Sequence, residues 1–224
     1  MLLIIGASGG IGSGIKELLA NEPGRAASYG QVKFTTRQEL DLSSESSTLG
    51  FFERLGSELK EGETLHILNA AGISLNSLTF KMDLANWNQT LAVNLTGAFL
   101  LSKASFPIFK ARPGSSLLFI SSVVGSLGVA GTTAYAATKT ALHGFVRSYA
   151  KELSRCQGRV NAIELGYFDR GMITQVEPEH LEKLKSQIPL GRLGTISEFF
   201  GACDFALRNT YVTGSIINMT GGLV

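Results

Sequence analysis

The chain has 224 residues and a mass of 23.9 kDa, well above a usual domain of about 150 residues, so it suits one large domain and leaves little room for two. Lys and Arg number 20 against 18 Asp and Glu, a net charge of +2, which gives no long-range reason to bind nucleic acid or an anionic membrane. Apolar residues make up 44% and charged residues 17%, so there is ample surface to bury and disorder is excluded, while 26 glycines point to many tight turns.

Leu2–Ile5 is a short apolar run that reads as a buried strand, followed by glycines and an amphipathic stretch over 11–20. Val32–Thr35 reads as a second strand, 46–60 as a helix and 65–68 as a third strand. Residues 84–111 carry two helical patterns that split near Asn94 and Gly97. A strand at 117–120, a helix at 133–154, a strand at 160–165, a helix at 195–208 and a last strand at 215–219 complete the series. Short apolar strands alternating with helices mean βαβ units and a parallel sheet buried on both faces. The expected fold is a single doubly wound α/β domain over 1–224, Rossmann-like. Only about ten residues separate the strand ending near Thr36 from the helix starting near Ser46. A parallel crossover takes a dozen or more, so one helix of the first half is missing and an outer strand is short or lost.

Cys156 and Cys203 form no CxxC pair and no Cys/His cluster, so neither a disulfide framework nor a zinc site is expected. The apolar start is ended by Gly6 before it reaches the length of a secretory core, and no apolar run has the length of a membrane span. A soluble, cytoplasmic protein is the expectation. His66 and His143 read as core or surface residues, because neither has a partner at ligand spacing.

Two motifs carry chemistry. The first is Gly6-Ala7-Ser8-Gly9-Gly10-Ile11-Gly12, between the first strand and the first helix. Backbone N–H groups and the positive end of a helix dipole suit a pyrophosphate there, and a Cβ at the close-approach positions would push it away. The bland reading is a glycine-rich turn that binds nothing. The second is Ser121-Ser122 at a strand's carboxyl end, followed by Tyr135 and Lys139 at i and i+4 on one helical face. An ammonium beside a phenol favours the phenolate, which would lower the tyrosine's pKa towards working pH and make it a proton donor or acceptor for a carbonyl/alcohol pair. An ordinary surface pair is the bland reading here.

These motifs, with Asn69-Ala70-Ala71-Gly72, Asn94 and Gly221-Gly222, resemble the short-chain dehydrogenases/reductases in order and over the whole chain. Ser122 precedes Tyr135 by 13 residues, that family's usual gap. FKMDLANWNQTLAVNLTGAF, PLGRLGT and YVTGSIINMTGG look most like the 3-oxoacyl-carrier-protein reductases. The resemblance implies that Tyr135 exchanges the proton with the substrate oxygen, that Ser122 orients that oxygen, and that Lys139 holds the nicotinamide ribose and tunes the tyrosine. Asn94 would kink a helix and hold a water for proton relay, or simply cap a helix. Gly6, Ser8, Gly9, Gly10, Ile11 and Gly12 would carry the pyrophosphate, Asn69, Ala70, Ala71 and Gly72 would pass the adenosine side, and Gly166 with Phe168 would flank the carboxamide. Hydride transfer needs no metal.

NADP is favoured over NAD, because Thr36 and Arg37, with no carboxylate before Glu39, stand where an acidic residue would repel a 2′-phosphate. Arg37 can equally be a solvated loop residue. Asp41 and Leu42 resemble the family's adenine-binding pair. Residues 167–192 match the position of a substrate lid, and apolar segments at 123–129 and 171–190 would line the substrate side. The implied activity is hydride transfer between NADP(H), or NAD, and a ketone or secondary alcohol, with a 3-oxoacyl thioester as one substrate. A hydroxysteroid- or sugar-like alcohol dehydrogenase working in oxidation, and a non-catalytic NADP-binding regulator, are the alternatives. A homodimer or homotetramer through the helices at 95–110 and 133–154 is implied as well.

Overall fold

The computed structural model describes residues 1–171, 173 and 177–224. Its centre is a six-stranded sheet, parallel throughout, in the order β2-β1-β3-β4-β5-β6. The strands are β1 (Leu2–Ile5), β2 (Val32–Thr35), β3 (His66–Asn69), β4 (Ser116–Ser122), β5 (Arg159–Leu165) and β6 (Ile216–Met219). Helices α1 (Gly10–Asn21) and α8 (Ile196–Arg208) cover one face; α2 (Glu45–Glu58), α4 (Gly97–Ala111) and α6 (Thr133–Leu153) cover the other. Alternation along β1 shows why the strands are apolar at every position. Leu3 and Ile5 enter the core with Phe52, Phe109 and Phe119, whereas Leu2 and Ile4 enter the core with Ile15, Phe199 and Phe200.

The shortened segment behaves as the residue count demands. After β2 the chain makes tight turns, Glu39 and Leu40 donating to the Thr36 carbonyl at 3.1 and 3.0 Å. Ser44 then caps α2 by accepting from the Ser47 amide at 3.2 Å. No helix or strand intervenes, so β2 is a sheet edge where the usual doubly wound order places a further strand.

The two helical patterns at 84–111 are one continuous run: α3 (Leu84–Leu91), a π-turn (Ala92–Thr96) and α4. Its length and hydropathy would suit a membrane crossing, but half of its most apolar window is buried in the fold, where α4 packs on α2. The last two described helical pieces on the sheet's carboxyl side are α5 (Val124–Leu127) and α7 (Pro178–Gln187). Gly221 and Gly222, at φ +64° and +93°, let the chain after α7 dock: a Cβ on Gly221 would stand 2.7 Å from Ile188 Cγ2.

Candidate active site

All the motifs meet at the carboxyl edge of the sheet. Gly6, at φ +85°, turns the chain out of β1, and its amide and that of Ala7 donate to the Thr35 carbonyl at 3.1 and 2.9 Å. A Cβ on Gly6 would lie 2.7 Å from the Ala71 amide, and one on Gly12 would run into the Gly6 carbonyl. Ser8, Gly9 and Gly10 are exposed at the head of α1. That helix has no side-chain cap and no acidic residue in its first turn, so the positive end of its dipole is left for an anion. Ile11 is half-buried and packs on the α1/α8 core.

The turn after β3 is pinned from two directions. Asn69 Oδ1 accepts from the Ala71 amide at 3.1 Å, and the Ala70 amide donates to the Ile5 carbonyl at 2.9 Å. Asn94, buried in the π-turn, accepts from the Ile73 amide at 2.9 Å and donates to the Ile73 carbonyl at 2.8 Å and to Thr138 Oγ1 at 3.2 Å. The expected helix distortion at Asn94 is thus present, and its amide is committed to the turn beyond β3 rather than to a helix end. Gly72 keeps room for two site groups: a Cβ there would lie 3.4 Å from both Asn94 Oδ1 and Lys139 Nζ.

Ser122 ends β4, and Tyr135 and Lys139 project from the first turns of α6. All three are buried. Lys139 Nζ donates to the Ile120 carbonyl at 2.7 Å and stands 5.5 Å from the centre of the Tyr135 ring. Burial lowers its pKa to about 8. Burial also pushes the Tyr135 phenol above its ordinary value, and a hydrogen bond with the Ser122 side chain pulls it back only partly. The expectation of a lysine-acidified phenol is therefore corrected. Desolvation outweighs any help from the ammonium, whose hydrogen bond goes to the strand, and the phenol holds its proton at neutral pH. The expectation missed this because spacing reports proximity and says nothing of depth.

Two other side chains lie deeper than expected. The Phe168 side chain is buried against Phe199, ring centres 6.0 Å apart, where a Cβ on Gly194 would meet it at 2.6 Å, so its ring belongs to the core and its backbone is the part left to flank a carboxamide. Gly166 does sit at the end of β5, where a Cβ would meet Thr220 Cα at 2.8 Å. The Leu42 side chain likewise belongs to the core, packed against Gly97. Asp41 accepts from the Ser43 amide and hydroxyl at 2.9 and 2.6 Å and from Arg37 at 3.3 Å; these Ser43 bonds, then Arg37, hold its carboxyl below the usual range against its partial burial.

Of residues 167–192, expected to form a substrate lid, residue 172 and residues 174–176 lie outside the described residues. The start of the segment is held against the glycine loop. Asp169 donates to the Gly194 carbonyl at 3.0 Å, Arg170 pairs with Glu17 of α1 at 3.1 Å, and the Gly171 backbone crosses Gly10 so closely that a Cβ on Gly10 would run into it. Nothing in the sequence signalled this crossing, which joins residues 161 positions apart. His66 and His143 hydrogen-bond serines, Ser116 at 2.8 Å and Ser121 at 2.8 Å respectively, as internal residues do.

A family model described as enoyl-(acyl carrier protein) reductase matches residues 10–224. The chain belongs to the short-chain dehydrogenase/reductase family. It is similar to the 3-oxoacyl-(acyl-carrier-protein) reductase FabG of Aquifex aeolicus, 35% identical over 99% of this chain and 86% of the relative. It also resembles the FabG of Pseudomonas aeruginosa, 37% identical over 82% and 74%, and the mouse 3-oxoacyl-(acyl-carrier-protein) reductase, 33% identical over 98% and 96%. As a member of this family the protein is an NAD(P)-dependent oxidoreductase acting on ketone and alcohol groups, and the reading as a non-catalytic regulator gives way. The residues fit such a cofactor: an uncapped helix end behind side-chain-free glycines for the pyrophosphate, and a buried ammonium with donors left over beside Tyr135 at the carboxyl edge.

Proposed function

We propose that the protein reduces a 3-oxoacyl thioester or a similar ketone at the expense of NADPH, with Ser122, Tyr135, Lys139 and Asn94 as its working residues. The observation that carries this is the convergence of buried Ser122, Tyr135 and Lys139 at the carboxyl edge of a parallel sheet, the Lys139 ammonium 5.5 Å from the centre of the Tyr135 ring. The nicotinamide, when bound, supplies the hydride for the carbonyl carbon. Tyr135 gives its hydroxyl proton to the carbonyl oxygen, and Ser122 donates to that oxygen and fixes its position. Lys139 holds ribose hydroxyls with the donors that Ile120 leaves free, and it stabilises the phenolate as the proton departs. Asn94 positions the Gly72–Ile73 turn beside Lys139 Nζ.

The acyl thioester substrate is carried over from the named relatives. NADP rests on Arg37, whose guanidinium can fork onto a phosphate once Asp41 lets go. Association through α4 and α6 belongs to the same proposal and is supported by Phe99 and Phe106, exposed on α4. So do a cytoplasmic location and a lid over 167–192. The test is turnover of a small β-keto ester with NADPH, repeated for Tyr135→Phe. We expect at least about a hundredfold loss of kcat, the scale of one general acid. A near-normal Tyr135→Phe enzyme removes Tyr135 from the reaction.

A further inference from the structure

The reaction leaves one buried carboxyl group unused. On the face of β4 and β5 that α6 covers, Leu117, Phe119, Val160 and Ala162 belong to the core. Two residues further along each strand the same face carries Ser121 and Glu164, opposite one another in register and 1% and 3% exposed. Polar groups at this depth cost the fold unless they are bonded, and each of these reaches up to a helix. Ser121 Oγ donates to the Lys139 carbonyl at 2.9 Å and bonds His143 Nε2 at 2.8 Å, which ties down α6. Glu164 ties down α5 instead: its Oε1 accepts from Ser126 Oγ at 2.5 Å, across 38 residues of chain. The helix it holds is a single turn of four residues with no side-chain cap at its start, too short to persist without support. It follows Ser122 directly, whose Oγ accepts from the Val124 amide at 3.3 Å. Leu127 in α5 and Val129 just beyond it stand exposed at this edge of the sheet.

We propose that Glu164 is a positioning residue for the substrate: by accepting from Ser126 it anchors α5, and so holds the chain segment after Ser122 in the place where the ketone binds. The proposal rests on the reading of Ser122 and Tyr135 as the reacting edge, within the proposed function. Ser122 does not need this anchor, because it is paired with Leu165 inside the sheet. The glycine loop does not need it either, because it follows β1, two strands away from β4. Glu164 therefore governs how well the substrate is held, and leaves proton transfer and nucleotide binding to the groups already in place.

The experiment compares the full chain as wild type, Glu164→Ala, Ser126→Ala, the double variant and Glu164→Gln, with a melting curve for each. Glu164→Ala removes the acceptor, Ser126→Ala removes the donor at an exposed position, and Glu164→Gln keeps an acceptor for the hydroxyl. With a β-keto ester and NADPH we expect KM for the ketone to rise about tenfold in both alanine variants, with kcat within about threefold of wild type and NADPH affinity within about twofold. The double variant should be no worse than Glu164→Ala, and Glu164→Gln should return close to the wild-type KM. Amide hydrogen exchange over 124–128 should quicken about tenfold in the alanine variants and stay slow in Glu164→Gln. A wild-type KM in Ser126→Ala, a Glu164→Gln as impaired as Glu164→Ala, or unchanged exchange over 124–128 overturns the proposal. Should Glu164→Ala fail to fold, Ser126→Ala and Glu164→Gln decide it. A wild type that reduces no ketone refutes the proposed function instead, and the exchange then decides whether Glu164 anchors α5.

Discussion

Lys139→Met separates the chemistry of the site from its cost to the fold. Burial moves the Lys139 ammonium from 10.5 to about 8. A difference of about 2.5 units, at roughly 1.36 kcal/mol each, charges the folded state about 3 kcal/mol for carrying this cation at neutral pH. Methionine removes that penalty at similar volume, but it strands the Ile120 carbonyl, which now accepts from Nζ at 2.7 Å and is worth about 1 kcal/mol. The net gain is about 2 kcal/mol, or roughly 4–8 °C in Tm for a chain of this size. The sign has a pH signature. The folded pKa lies below the unfolded one, so the penalty is complete below pH 8 and fades as the pH rises towards 10.5, where the unfolded chain also loses its proton. Melting curves from pH 6 to 10 should show the variant more stable at neutrality and the two proteins converging in base. Ketone reduction by the variant should fall at least about a hundredfold throughout. A variant that melts below wild type at pH 7, or a gap that does not change with pH, would show that Lys139 is not a desolvated charge.

Two other substitutions probe the surroundings. Gly10→Ala drives a methyl group into the Gly171 backbone, so NADPH affinity should drop more than about tenfold by fluorescence titration while Tm moves by only a few degrees, because the clash falls on the loop at Gly171 and not on the core. His66 is held down to about 4, chiefly by burial and then by the N-terminal ammonium, Arg159 and Arg208. Its contribution is complete above about pH 6.5 and is lost as the pH falls towards 4. Urea unfolding at pH 7 and pH 4.5 should show wild type losing about 2–3 kcal/mol more than His66→Gln across that interval.

The parallel sheet was legible because its strands are apolar at every position, and β1 shows why: Leu2 and Ile4 enter one core, Leu3 and Ile5 the other. The missing crossover was legible by counting, since ten residues cannot hold a helix and a strand. The glycine loop, the Asn94 distortion and the convergence of Ser122, Tyr135 and Lys139 follow from motif order. What escaped depends on depth and on long-range approach. Phe168 and Leu42 sit beside site residues in the chain, yet their side chains turn into the core, a direction that neighbouring motifs do not encode. The upward shift of Tyr135 needs its burial, and the Gly10–Gly171 crossing needs the third dimension. Glu39 was seen only as an absence of acid before it; its return to Thr36 depends on a turn that the deleted crossover makes tight.

The two ends of the site are built to different standards. Ser122, Tyr135, Lys139 and Asn94 are buried, with Lys139 bonded to the Ile120 carbonyl of β4 and Asn94 to the Ile73 backbone, so changes there perturb the fold together with the reaction. Thr36, Arg37 and Glu39 lie on a turn beyond an edge strand, with Arg37 67% exposed, and their contacts are local pairs within five residues. Exposed pairs of this kind contribute about 0–1 kcal/mol to stability. The short crossover thus leaves the turn proposed to meet the cofactor's 2′ end outside the cooperative core, and substitutions at Arg37 should change nucleotide affinity while Tm stays within a few degrees of wild type.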